Sequence, residues 1–199
     1  MIVKTARFVS SLSQLREFEG QGMPEIAACG KSNVGKSSLI NRLGHNKKLA
    51  RISSEPGKTR LINLYNFDET FMLVDLPGYG FARAPIDEKK KWGAMIEGYL
   101  SGSQHLKHVL QLVDIRHEPT KDDQMMVSYL RHYGIEFTVL ATKADKLSKA
   151  ARSRNMPAIC RAMGVQPWEV IPFSAEDGTG LDRLLELIEK IVSGQDTRQ

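Results

Sequence analysis

Gly30-Lys31-Ser32-Asn33-Val34-Gly35-Lys36-Ser37-Ser38 fits the pattern G-x-x-x-x-G-K-[ST], a loop whose backbone N–H groups surround the phosphates of a nucleotide. In that chemistry Lys36 reaches the β- and γ-phosphates and the Ser37 hydroxyl holds Mg²⁺. The loop works only between a strand and a helix, and the flanking residues supply both. Glu25 to Cys29 is a short apolar run that reads as a strand, and Leu39, Ile40 and Leu43 share one face of a helix opening at Lys36. The N-terminus of that helix then aims its free N–H groups and positive dipole end at the anion.

Four further stretches complete a nucleotide site. Asp75-Leu76-Pro77-Gly78 fits D-x-x-G at the end of the apolar run Phe71 to Val74. There Asp75 can hold Mg²⁺ through water, and the Gly78 N–H can meet a γ-phosphate; an Asp-initiated turn is the bland alternative. Thr142-Lys143-Ala144-Asp145 fits [NT]-K-x-D after the apolar run Phe137 to Ala141. A carboxylate at that place accepts hydrogen bonds from the N1–H and 2-amino groups of guanine, which adenine cannot offer. A second copy, Thr120-Lys121-Asp122-Asp123, follows Pro119 and opens a helix, so Thr120 reads as its N-cap with acids in the first turn. Ser174-Ala175 follows the last apolar run, where the Ala175 N–H would meet guanine O6. Thr59, in a polar loop with Gly57 and Lys58, is favoured over Ser53 and Ser54 as a second Mg²⁺ hydroxyl, present only with a γ-phosphate.

These stretches must be carried by an alternation of strands and helices. Leu61 to Phe67 and Phe71 to Val74, joined by Asp68-Glu69, can only be an antiparallel hairpin. Val109 to Val113, Phe137 to Ala141 and Val170 to Phe173 read as buried strands. Helices are expected around Trp92 to Leu100, Met126 to Tyr133 with Gly134 at its end, from Ser148 with a kink at Pro157, and through Leu181 to Val192. Ala6 to Val9 reads as a strand and Leu12, Leu15, Arg16 and Phe18 as a short helix, though residues 1–22 are the least patterned part. The expectation is an α/β three-layer sandwich of P-loop, Ras-like type. Its six- or seven-stranded sheet is mostly parallel with one antiparallel edge strand, and helices cover both faces. Ligands in such a sheet bind beyond the carboxyl ends of its strands. Every motif above sits at one of those ends, and residues 1–199 read as one GTP-binding domain.

Composition excludes several other classes. No apolar run approaches the ~20 residues of a membrane span, and no secretory leader is visible. Cys29 and Cys160 do not make a disulfide framework. A cytoplasmic protein is expected. The net charge of +5 leans towards anionic partners, with Lys47, Lys48, Arg51, Lys58 and Arg60 in one segment and Arg83, Lys89, Lys90 and Lys91 in another. That surface is expected to meet RNA phosphates rather than to read a DNA sequence; a solvated basic face is the plain alternative. Trp92 reads as a core anchor. His105 and His108 read as part of a polar connection without a metal.

The five motifs stand in the order found in GTPases. The chain resembles the translation-factor-related GTPases and, within them, the EngB (YihA/YsxC) family of bacterial ribosome-assembly GTPases. The stretches that carry it are 30–38, 56–63, 74–80, 114–120 and 142–147. The resemblance implies slow GTP hydrolysis and transient binding to the precursor of the large ribosomal subunit, and so a part in growth and division, by a monomer. Regulation of division or stress by a protein with negligible turnover is the alternative. An ATP-dependent kinase is disfavoured by Asp145. Tyr79 stands where many GTPases place a Gln that orients water, so intrinsic turnover should be slow. Asn33 matches a position where similar GTPases coordinate K⁺ between the β- and γ-phosphates; Arg60 or Arg83 is the other expected source of positive charge. Thr142 replaces the commoner Asn, which leaves Asp145 as the firmer contact to guanine.

Overall fold

The protein is described by a computed structural model covering residues 1–13, 22–50, 61–79 and 86–195, without the side chains of 86–92. Seven strands are described, β1 (Ala6–Leu12), β2 (Glu25–Gly30), β3 (Ile62–Phe67), β4 (Phe71–Asp75), β5 (Leu106–Asp114), β6 (Phe137–Thr142) and β7 (Val170–Pro172). They form one sheet in the order β1-β3-β4-β2-β5-β6-β7. The helices are α1 (Lys36–Leu43), α2 (Ile86–Gly102), α3 (Lys121–His132), α4 (Lys149–Met163) and α5 (Leu181–Val192). No helix among the described residues is long and apolar enough to cross a membrane.

Strand periodicity decides which residues reach which layer. In β2, Ile26 and Ala28 join one core with Leu39 and Ile40 of α1 and Leu184 and Ile188 of α5. Ala27 and Cys29 face the opposite core, with Ile96, Tyr99 and Leu100 of α2. On that same face Val113 and Val139 pack with Val127 of α3 and Ile159 of α4. A parallel sheet buried on both sides must be apolar at successive positions, and Ile26 to Cys29 are all 0% exposed.

The hairpin forms as expected. Asp68 (φ 53°) and Glu69 (φ 52°) are both left-handed, in a tight turn closed by the Thr70 N–H on the Phe67 carbonyl at 2.9 Å, within a three-residue connection that pairs Phe67 with Phe71. β3 is the one strand that runs against the rest, but it does not form the edge: β1 pairs outside it, antiparallel, from Ala6 opposite Phe67 to Leu12 opposite Ile62. Leu12 is therefore a strand residue at 6% exposure, not the start of a helix; Leu15, Arg16 and Phe18 lie outside the described residues. β5 likewise begins at Leu106, before the expected Val109, so His108 is a buried strand residue and not part of a polar connection. α4 starts after its cap Ser148 and runs unbroken past Pro157. Cys29 is buried, and burial pushes its thiol up to about 12, as befits an inert core residue.

Candidate nucleotide-binding site

The phosphate loop leaves β2 at Gly30, whose φ is 152°. A Cβ there would lie 2.7 Å from the Leu112 carbonyl oxygen of β5, so only glycine lets the chain turn this close to the sheet. Gly35 stands before α1 at φ 118°, gives it no side-chain cap, and the first turn holds no acid. The helix end is left as bare N–H groups beside Lys36, Ser37 and Ser38, the arrangement that suits an anion. Lys36 Nζ turns back 3.4 Å from the Gly30 carbonyl.

β4 lies next to β2, with Ala28 paired to Asp75, and so brings the D-x-x-G stretch against the loop. Pro77 and Gly78 are buried there. Tyr79 bridges to Lys31, and the Ser32 N–H donates to the Tyr79 carbonyl at 3.1 Å. A Cβ on Gly78 would stand 3.1 Å from both Lys36 Nζ and Ser32 N. Asp75 is 4% exposed. Burial raises its carboxyl to about 6 against the pull of Lys36 and an Asn63 hydrogen bond, and its Oδ1 has no hydrogen-bond partner among the described residues. A buried acid with an orphaned oxygen beside a phosphate loop fits Mg²⁺. Asp75 and Ser37 would hold the ion, which supplies charge neutralisation at the phosphates. Gly57, Lys58 and Thr59 lie outside the described residues, as do Arg51, Ser53, Ser54, Arg60, Arg83 and the side chains of Lys89, Lys90, Lys91 and Trp92.

The end of β6 delivers the other half. Thr142 is buried, and its hydroxyl faces the carbonyls of Val34 (2.6 Å) and Val113 (3.0 Å). Its one proton is committed there, so the Thr142 hydroxyl ties this loop to the phosphate loop. Lys143, at φ 61°, donates from Nζ to the Asn33 carbonyl at 2.8 Å. Asp145 sits in a 3-10 turn, Ala144–Lys146. Ser174 donates to its Oδ1 at 2.8 Å and Lys146 pairs with Oδ2 at 3.0 Å. Partial burial works against its charge, but these two contacts hold the carboxyl below its ordinary range. Asp145 and Ala175 line one cavity of about 180 Å³ with Gly35 and Ser38. The residues expected to read the purine and those expected to cradle phosphate thus meet in one hollow, while Lys31, Ser32, Asn33 and Val34 line a neighbouring one of about 270 Å³.

The second Thr-Lys-x-Asp copy is structural. Thr120 caps α3, accepting from the Asp123 N–H, while the Asp123 carboxylate takes the Thr120 N–H at 2.8 Å. That carboxylate also accepts the Tyr79 hydroxyl at 2.6 Å, and Gln111 of β5 donates to the same hydroxyl. Tyr79 thus points into the protein; burial, then Cys29 and Asp123, raise its phenol well above the ordinary value. Residue-type reasoning missed this use of Asp123 and Gln111, and missed Asp114, which pairs with Lys143 at 3.0 Å. The signals for Asp114 were its place at a strand's carboxyl end and its position in the stretch 114–120 that carries the family resemblance. Asn33 is a left-handed turn residue, φ 60°.

The profile of a family described as "50S ribosome-binding GTPase" matches residues 25–143. A probable GTP-binding protein EngB of Alkaliphilus metalliredigens is 45% identical over 192 residues, covering 96% of this chain and 92% of that protein. Its counterpart in Geobacter metallireducens is 45% identical over 197 residues, covering 98% and 97%. The crystal structure of a probable GTP-binding protein engB superposes with a TM-score of 0.72 at 23% identity, covering 86% of this chain and 99% of that one. Era in complex with MgGDPNP and nucleotides of 16S ribosomal RNA superposes at 0.63 and 24% identity, covering 85% and 56%. With four of the five motifs gathered at one end of the sheet among the described residues and such identity along almost its whole length, the chain belongs to the EngB family of GTP-binding proteins.

Proposed function

We propose that this protein is a guanine-nucleotide switch that binds GTP and GDP with Mg²⁺, hydrolyses GTP slowly, and acts in assembly of the large ribosomal subunit. The observation that carries the nucleotide part is the shared cavity. Asp145, oriented by Ser174, lines the same cavity as Gly35 and Ser38 at the N-terminus of α1. Lys36, Ser37 and the N–H groups of the loop take the phosphates; Asp145 takes the two guanine donors, with the Ala175 N–H on O6. Slow turnover follows from Tyr79: its hydroxyl is spent on Asp123, so no side chain there orients water. A K⁺ ion at Asn33 would supply the missing charge, and hydrolysis faster in K⁺ than in Na⁺ buffer is the expected result.

The ribosomal part is supported by the family description and by Era, a protein of the same fold crystallised with ribosomal RNA. Co-sedimentation with large ribosomal subunits tests it: retention is expected with GTP or a non-hydrolysable analogue and release with GDP. Equal behaviour in all three states would reject the switch. Competition between GDP and ADP tests the site, and equal displacement would reject the role of Asp145.

A further inference from the structure

Asp114 ends β5, and in the parallel sheet it lies opposite Thr142 of β6. That register brings it beside the next residue, Lys143, although 28 positions separate the two in sequence. Its Oδ2 pairs with Lys143 Nζ at 3.0 Å. Arg116 fixes the same carboxylate from the other side, Nε to Oδ1 at 2.9 Å and Nη2 to Oδ2 at 2.7 Å, with the Arg116 N–H adding a third bond at 3.1 Å. Lys143 in turn donates to the Asn33 carbonyl at 2.8 Å. Asn33 holds a left-handed backbone, which Asn tolerates better than most side chains, and the Lys143 ammonium caps its carbonyl. The chain Arg116–Asp114–Lys143–Asn33 therefore runs from the carboxyl end of β5, through the loop that carries Asp145, to the phosphate loop.

We propose that Asp114, braced by Arg116, is a positioning residue for guanine-nucleotide binding: it clamps Lys143 onto the Asn33 carbonyl and so couples the purine-reading loop to the phosphate loop. The proposal rests on the guanine-nucleotide reading of this site. Without the carboxylate, the ammonium of Lys143 has water as a competing partner and the Asn33 turn loses its brace. The loop then relaxes in the empty state and must be ordered again by each nucleotide. Partial burial opposes the charge on Asp114, but Arg116 and Lys143 hold its carboxyl far below the usual range.

The test uses the full chain. Asp114→Ala is expected to speed release of a fluorescent GDP about tenfold, with the same factor for inosine diphosphate, because the clamp does not touch the 2-amino group. KM for GTP rises by about the same factor while kcat changes less than twofold. Asp114→Asn, which can still accept from Lys143 and Arg116, falls between wild type and Asp114→Ala. Arg116→Ala, at a side chain already 37% exposed, speeds release about threefold and carries the test should Asp114→Ala fail to fold. Release within twofold of wild type in both alanine variants overturns the inference, as does a loss confined to GDP. So does a fall in kcat with KM unchanged. A wild type without preference for GDP over ADP overturns the underlying reading; a wild type that prefers GDP beside unaltered variants overturns this inference alone.

Discussion

The carboxylate of Asp145 is held from two sides, by Ser174 on Oδ1 and Lys146 on Oδ2. Ser174 fixes one oxygen by donating to it, and the Ser174 oxygen is itself held by the N–H groups of Glu176 and Asp177. A base that must find two acceptors in a plane gains from such preorganisation. Ser174→Ala should therefore weaken GDP binding about tenfold, the worth of one hydrogen bond to a charged group. ADP binding should be unchanged, and titration with fluorescent nucleotides reads both. Asp75 shows the opposite economy: a buried oxygen without a partner costs stability in the empty protein, and residues of that kind gather at sites that await a ligand.

At the scale of elements, the segment after β4 is locked to α3 and β5 through one phenol. Tyr79 gives its proton to Asp123, whose other oxygen serves the Thr120 cap, and receives one from Gln111, which also accepts from the Cys29 thiol at 2.9 Å. Removing the hydroxyl leaves Asp123 and Gln111 short of partners in a nearly dry place. Tyr79→Phe should lower stability by about 1–3 kcal/mol, measured by urea unfolding at unchanged slope. A loss below 0.5 kcal/mol would mean that water replaces the hydroxyl. At the β7 edge, Arg183 of α5 donates to the carbonyls of Val170, which opens the strand, and of Trp168 in the turn before it.

At the scale of the whole molecule, the end of the sheet remote from the motifs carries a proton-linked weakness. His108 is 2% exposed in β5, with its Nε2 2.9 Å from the Thr138 hydroxyl and its Nδ1 without a partner among the described residues. Burial lowers its pKa from 6.5 to about 4. Between those values the unfolded chain binds a proton that the folded one does not, so stability rises with pH across the window and is lost as pH falls through it. The loss reaches about 3 kcal/mol below pH 4. His108→Gln should flatten the pH dependence of urea unfolding between pH 6.5 and 4 by close to one proton, and an unchanged slope would put the ring in water.

The residues alone determined the order of strands and helices, the strand-loop-helix around Lys36, and the choice of Thr142–Asp145 over Thr120–Asp123, because periodicity, glycine placement and capping chemistry are local properties. Local reasoning could not decide that β1 reaches Leu12 and takes the edge outside β3, since pairing along 6–12 is rewarded only by a strand more than fifty residues away. Nor could it decide what Thr142, Asp123 and Asp114 do. Each is a common polar residue whose role depends on which carbonyl, phenol or ammonium the parallel register sets beside it, and register is a property of the assembled sheet.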